Sequence, residues 1–250
     1  MKYLRQLMAV LVFFAAQAAL AQDSTNLSDA EIQGRALAQK ILQQWPGENS
    51  TNTGTLQIKG LDGKRSHLPL TCIVTLNGPD GWSTRYEVKT GSNTTDVLVV
   101  THGLTDSTLY SLYSGNDEST NLLAGTSAAA RLTLPFAGSD FSVGDLGLEF
   151  FHWPQQKVLK KEVHRSCGCI VLESINPDPA TNSYSRVVSW IDNESLGIVE
   201  AYAYDSRGKE LKDFYPKDLK KVNGRYEVQT MVMENEQTDT RSRFEFDLTP

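Results

Sequence analysis

Beyond residue 55 the chain runs in short stretches where apolar and polar residues alternate, separated by glycine, asparagine, aspartate and proline. That period of two belongs to half-buried β-strands. Leu56 and Ile58 open the series, and runs at 68–76, 82–88, 96–101 and 108–113 continue it. A second series covers 158–164, 169–174, 184–191, 198–204, 211–215, 225–234 and 241–248. Good turn residues join them, among them Asp192-Asn193-Glu194-Ser195, Asp205-Ser206-Arg207-Gly208 and Val222-Asn223-Gly224. Strands joined by short turns form an antiparallel meander, and one this long must curl or close. Near the end of the chain Phe244, Phe246 and Leu248 alternate with Arg243, Glu245 and Asp247, so one face there meets water. Runs at 198–204 and 228–233 carry apolar weight on both faces, and Met231 and Met233 share a face.

Two segments break this pattern. Ser28 and Glu31 have the spacing of a capping box, followed by Ile32, Leu37, Ile41, Leu42 and Trp45 at helical spacing. Pro46-Gly47 ends that predicted helix, and the polar stretch 48–54 reads as a loop. Residues 121–153 are apolar, poor in charge and interrupted by glycines. Ser139-Asp140 and Asp145 can cap short helices there, with Leu146, Leu148, Phe150 and Phe151 as packing residues. This stretch is expected to lie across the sheet rather than within it.

The first 21 residues have the form of a cleavable secretory signal. Lys2 and Arg5 precede an apolar run from Leu7 to Leu20, and Ala19-Leu20-Ala21 offers the small residues a signal peptidase needs. Cleavage is expected between Ala21 and Gln22, releasing residues 22–250 as a single soluble domain outside the cytoplasm. Losing Lys2 and Arg5 would take the formal charge from −6 to −8, which argues against nucleic acid as a partner. Short basic clusters remain at Lys157, Lys160, Lys161 and Arg165 and at Lys217, Lys220 and Lys221. Such clusters are usually solvated faces, with contact to an anionic membrane surface or an acidic partner as the rarer reading. Three cysteines leave two readings open: a bridge from Cys72 to Cys169 or Cys167, or buried free thiols. Cys167 and Cys169 flank Gly168 on one strand, where a bond between them would be strained.

No motif announces catalysis, and none implies a cofactor or a metal site. Thr101-His102-Gly103 lacks the G-x-S-x-G nucleophile turn that would make it part of a serine hydrolase. His164, Cys167 and Cys169 are too closely spaced for an ordinary tetrahedral metal site.

An ordered series of short motifs carries more weight. GSDFSVGDL at 138–146 is followed by Trp153-Pro154, VLKKE at 158–162, Cys169-Ile170-Val171-Leu172-Glu173 and Asn176-Pro177. Then come Tyr184-Ser185, Ser189-Trp190-Ile191-Asp192, Ala203-Tyr204-Asp205 with Gly208-Lys209, and Met233-x-Asn235-x-x-Thr238-x-Thr240. Over 135–248 this order resembles the LolA-like outer-membrane lipoprotein-sorting proteins of Gram-negative bacteria. The resemblance implies a mainly β fold: a strongly curved antiparallel sheet forming an incomplete barrel, with helices in its mouth. It also implies a non-enzymatic, monomeric periplasmic carrier whose cargo is an acylated lipoprotein or lipid, working between inner- and outer-membrane donor and acceptor proteins. A sensor of the same fold, reporting lipids or lipoproteins to a membrane partner, is the alternative. Candidate residues for the cavity or its lid are Leu146, Leu148, Phe150, Phe151, Trp190, Tyr202, Met231 and Met233.

Overall fold

The computed structural model describes residues 27–103, 108–115, 121–124, 127–179, 183–222 and 224–248. The predicted signal segment, with its cleavage point at Ala21 and Gln22, lies outside the described residues, as does Asn223 of the predicted 222–224 turn. Twelve strands form one antiparallel sheet. They are β1 (Ser50–Lys59), β2 (Arg65–Leu76), β3 (Gly81–Lys89), β4 (Thr95–Gly103), β5 (Thr108–Ser114) and β6 (Gln155–His164). The remainder are β7 (Cys167–Ile175), β8 (Arg186–Asp192), β9 (Ile198–Tyr204), β10 (Glu210–Val222), β11 (Arg225–Asn235) and β12 (Thr240–Phe246). The order across the sheet is β5-β4-β3-β2-β1-β12-β11-β10-β9-β8-β7-β6. Two meanders are thus stitched together where β1 pairs with β12. The edge strands β5 and β6 are neighbours in sequence but not in the sheet, so the barrel stays open at that seam.

Among the described residues three helices accompany the sheet: α1 (Asp29–Leu42), α2 (Ala128–Leu132) and α3 (Val143–Leu146), with 3-10 turns at Gly78–Asp80 and Glu149–His152. The capping box of α1 forms as predicted: Glu31 N–H donates to Ser28 Oγ, and Ser28 N–H donates to Glu31 Oε2 at 2.8 Å. Its buried face is Gly34, Leu37, Ala38 and Ile41, while Ile32 and Trp45 are largely exposed. Gly34 is required because a Cβ there would stand 2.5 Å from the backbone nitrogen of Lys157. The helix therefore lies directly on β6, closer than any side chain would allow.

Four elements differ from expectation, two of them because of backbone pairing. The helix stops at Leu42 rather than Trp45. Residues 50–54 belong to β1, because their backbone pairs with β2 despite polar side chains. Strand β10 runs on to Val222, past Pro216, which sits beside a register shift that tolerates its missing N–H. The N-cap of α3 is Ser142, with Asp145 completing its capping box at N3. Ser139 instead hydrogen-bonds to the carbonyl of Phe136 at 2.7 Å.

Two apolar clusters fill the concave side. One packs Phe136, Phe141 and Val143 against Leu56, Leu70, Tyr86, Leu98, Val100, Leu112, Met233, Phe244 and Phe246. The other packs α1, Phe150 and Phe151 against Leu172, Val187, Ile191, Ala201 and Ala203. Each large side chain so buried contributes about 1.5–3 kcal/mol. The described residues of 121–153 therefore lie inside the curve of the sheet, and Phe244 and Phe246 face inward as their alternation predicted.

Of the two readings open for the cysteines, the structure has the free thiols and no bridge from Cys72. All three cysteines are free thiols. Cys72 packs in the first cluster on β2, whereas Cys167 and Cys169 lie on β7, with six strands between them in the sheet.

Candidate functional site

Between the two clusters the concave side is not filled. An open cavity of about 340 Å³ remains there. Its walls come from distant parts of the chain: Ile41 and Leu42 of α1, Trp82, Tyr86 and His102 of β3 and β4, and Phe141, Leu146 and Leu148 of the inner segment. Opposite them stand Leu196, Ile198, Phe214, Pro216, Val228 and Met231. Strands β3 and β9 are six places apart in the sheet yet line the same space, which is the measure of the sheet's curvature.

Polar groups on the wall are few: Gln44, Thr84, His102 and Asp145. His102 stacks on Trp82 with ring centroids 4.0 Å apart, and burial holds its pKa down at about 4, helped by nearby His152. The ring is thus neutral at ordinary pH and adds an apolar surface rather than a charge. His152 itself bonds through Nε2 to the hydroxyl of Thr108 at 2.9 Å. Away from this wall, Glu149 accepts from the hydroxyl of Tyr110 at 2.8 Å, and burial raises its pKa. Among the described residues no group of three or more His, Cys, Asp or Glu is placed to hold a metal ion.

The inner wall is pinned by the two carboxylates of the 138–146 motif. Asp140 accepts hydrogen bonds from Thr240 Oγ1 at 2.5 Å and Ser242 Oγ at 2.7 Å, on β12. Asp145 accepts from the Tyr184 hydroxyl at 2.8 Å and from the Ser142 N–H at 2.8 Å, and pairs with Lys212 of β10 at 3.3 Å. Lys212 also donates to the carbonyl of Asp140 at 2.6 Å. Phe141, between the two carboxylates, is buried against Phe244 and Phe214. Motifs about 100 residues apart in sequence therefore hold one another: the Asp140 carboxylate of 138–146 meets the hydroxyls of Thr240 and Ser242. A further motif residue, Asp205, caps its hairpin by accepting from the N–H groups of Arg207 and Lys209, which lowers its pKa to about 2.

Of the eight candidates for the cavity or its lid, Leu146, Leu148 and Met231 line the cavity. Phe150 and Met233 line a void of about 20 Å³ that shares Leu148 and Phe214 with it. Phe151 is buried in the second cluster. Trp190 and Tyr202 do not face this space. Strand alternation settles it, because Ile191, Ala201 and Ala203 point into the second cluster, so Trp190 and Tyr202 point to the convex face. There Trp190 donates to Glu162 Oε1 at 2.7 Å and stacks with His164, while His164 and Arg165 both contact buried Glu200. His164 is thereby engaged by a carboxylate rather than by the neighbouring thiols.

Sequence reasoning missed Trp82, Phe214, Pro216, Ile198 and Val228 as wall residues. A signal existed for Phe214, which lies on the same side of β10 as Lys212, but reading the strand as ended before Pro216 hid the rest of that face.

No helix among the described residues is long and apolar enough to cross a membrane. No curated protein matches the chain. A family model with the description "Uncharacterized protein" matches residues 123–249, half of the chain. Among solved structures the chain is similar to a DUF1329 family protein from Desulfovibrio piger, with 18% identity and a TM-score of 0.70 over 88% of this chain and 92% of that one. It is also similar to a domain described as an outer membrane lipoprotein-sorting protein from Vibrio parahaemolyticus, with 18% identity and a TM-score of 0.65 over 87% and 92%. A LolA superfamily protein from Nitrosomonas europaea matches at 12% identity and a TM-score of 0.48 over 86% and 91%. The chain belongs to the family whose model spans residues 123–249, and its fold is the curved, open antiparallel sheet of the outer-membrane lipoprotein-sorting proteins.

Proposed function

We infer that this protein is an exported carrier that takes the acyl chains of lipoproteins or other lipids into its cavity and delivers them toward the outer membrane. The observation that supports this reading best is the apolar wall of the 340 Å³ cavity, open on one side and surrounded by packed core. An apolar cavity of about 150 Å³ holds a benzene molecule, so this one accommodates roughly a dozen methylene groups. At about 0.8 kcal/mol per methylene the gross gain is on the order of 10 kcal/mol. Several kcal/mol of lost translational and rotational freedom offset part of it. The remainder would hold a lipid through an aqueous gap yet still release it to a membrane. The signal-like residues 1–21, with release at Ala21–Gln22, supply the route to the periplasm on this reading, and the Vibrio domain with its sorting description points the same way. No catalytic residue is needed.

The test is mass spectrometry of lipid extracted from the mature protein purified from its native envelope, together with titration of a fluorescent fatty acid. Wild-type protein should carry acyl lipid and bind the probe. Met231→Trp, which narrows the cavity, should weaken probe binding at least tenfold while the protein stays folded. Absence of both lipid and probe affinity in the wild type would sink the carrier reading.

A further inference from the structure

The basic cluster Lys217, Lys220 and Lys221 lies on a part of the molecule that the cavity does not explain. Strand β10 pairs with β9 only as far as Phe214, and β11 pairs with β12 only from Thr230 onward. From Asp218 to Val222 and from Arg225 to Val228, the two strands pair only with each other, as an arm extending past their neighbours. Leu219 lies opposite Val228, and Lys221 opposite Tyr226, so these four share one face. Leu219 is 58% exposed, Tyr226 73% and Val228 37%.

The arm's charge is opposite to that of the whole chain. Residues 217–228 hold Lys217, Lys220, Lys221 and Arg225 against Asp218 and Glu227, a net +2 in a chain of net −6. Lys220 donates to the backbone carbonyl of Leu248 at 2.5 Å, and the Lys221 ammonium lies 5.9 Å from the Tyr226 ring. Neither contact neutralises the lysine. Lysines alone would guard an exposed strand edge against unwanted pairing. That purpose gives no reason to leave an aromatic ring and two aliphatic side chains bare beside them. Apolar and aromatic side chains flanked by lysine are the composition that enters the headgroup layer of a negatively charged bilayer. The same face also leads into the cavity, because Val228 lines its wall together with Pro216 and Met231.

We propose that the β10–β11 arm docks this protein on an anionic phospholipid bilayer, inserting Leu219 and Tyr226 between headgroups that Lys217 and Lys221 attract. Docking through this face sets the cavity mouth against the lipid, so a chain can pass between membrane and cavity without crossing water. This rests on the carrier reading for its purpose, not for its measurement.

Flotation of the mature chain with vesicles of 70% phosphatidylcholine and 30% phosphatidylglycerol, against pure phosphatidylcholine, provides the test. Binding should appear on the anionic vesicles only and fall as salt rises. The charge reversal K217E/K221E should weaken it at least tenfold, since each lysine near such a surface is worth about a fivefold change. L219S/Y226S should weaken it with the salt dependence retained. Both variants should melt like wild type and keep their affinity for the fluorescent fatty acid. Equal binding to both vesicle types, no binding to either, or an unchanged K217E/K221E would overturn the proposal. So would recruitment that needs a membrane protein in the vesicles, which would make the arm's partner a polypeptide. Vesicle binding without any fatty-acid affinity would leave the docking intact and remove the carrier role.

Discussion

Replacing Lys212 by methionine tests how the inner wall of the cavity is held. The side chains of Lys212 and Asp145 are 14% and 7% exposed and stand 3.3 Å apart. Methionine keeps much of the apolar stem and removes only the ammonium, so packing changes little. The Asp145 carboxylate is then left buried without its cation, a change that costs about 3–5 kcal/mol. Asp145 keeps the Tyr184 hydroxyl and the Ser142 N–H as donors, which places the expected loss near the lower end, about 3 kcal/mol. In a chain of this size that lowers the melting temperature by roughly 6–12 °C. Urea unfolding followed by tryptophan fluorescence should show a lower midpoint with an unchanged slope. Adding Asp145→Asn to Lys212→Met removes the orphaned charge, and the double variant should lose less than the two singles together by about 1–3 kcal/mol. A Lys212→Met protein within about 1 kcal/mol of wild type, or strictly additive variants, would refute the reasoning.

Two further predictions concern the convex face and the thiols. Asp213 has a buried Oδ1 without a hydrogen-bond partner, and burial, with Glu200 adding to it, raises its pKa to about 7 against the pull of Arg165. Between its ordinary carboxylate value and about 7 the folded state keeps a proton that the unfolded state has released, so this group's contribution falls as pH rises through that window. Asp213→Asn should remove that loss and be the more stable protein at about pH 8, by on the order of 1 kcal/mol after solvent screening. Urea midpoints at about pH 5 and about pH 8 decide it, and a variant no more stable than wild type at the higher pH contradicts the assignment. Cys72 is buried with its thiol pushed up to about 12, Cys169 is fully buried, and Cys167 is partly exposed. A maleimide should therefore label Cys167 alone in the native protein and all three cysteines in denaturant. Fewer than three reactive thiols in denaturant without reductant would mean that a disulfide exists after all.

Much of the architecture is legible in the alternation. Strands β2 to β9 appear where runs of alternating or continuous apolar residues stand between turn residues, because the pleat forces every second side chain to one face. The inner segment also stood out, since 121–153 has neither the period of a strand nor the charge of a surface loop. Gly34 is where pattern failed in α1: helical spacing marks apolar residues as the buried face, yet the closest contact is made by a residue with no side chain. Polar residues 50–54 concealed the start of β1, because ladder hydrogen bonds do not depend on side-chain character.

The sequence by itself determined a long antiparallel meander, one leading helix, an apolar segment between two strand series, and the ordered motifs of the lipoprotein-sorting proteins. Local chemistry suffices for these, since strand period, caps and turns involve residues a few positions apart. Only the tertiary structure decided which apolar faces enclose the cavity. Alternation divides a strand into two faces but does not say which is concave when both are apolar, and so Trp190 and Tyr202 fell outside. The register shift after Pro216 resets the alternation, and so Val228 fell inside. Long-range pairs made the same kind of decision: Asp140 finds Thr240, and Asp145 finds Tyr184 and Lys212, only once the sheet has curved. The cavity follows from that curvature, because it is the space left between two clusters whose members no local pattern places together.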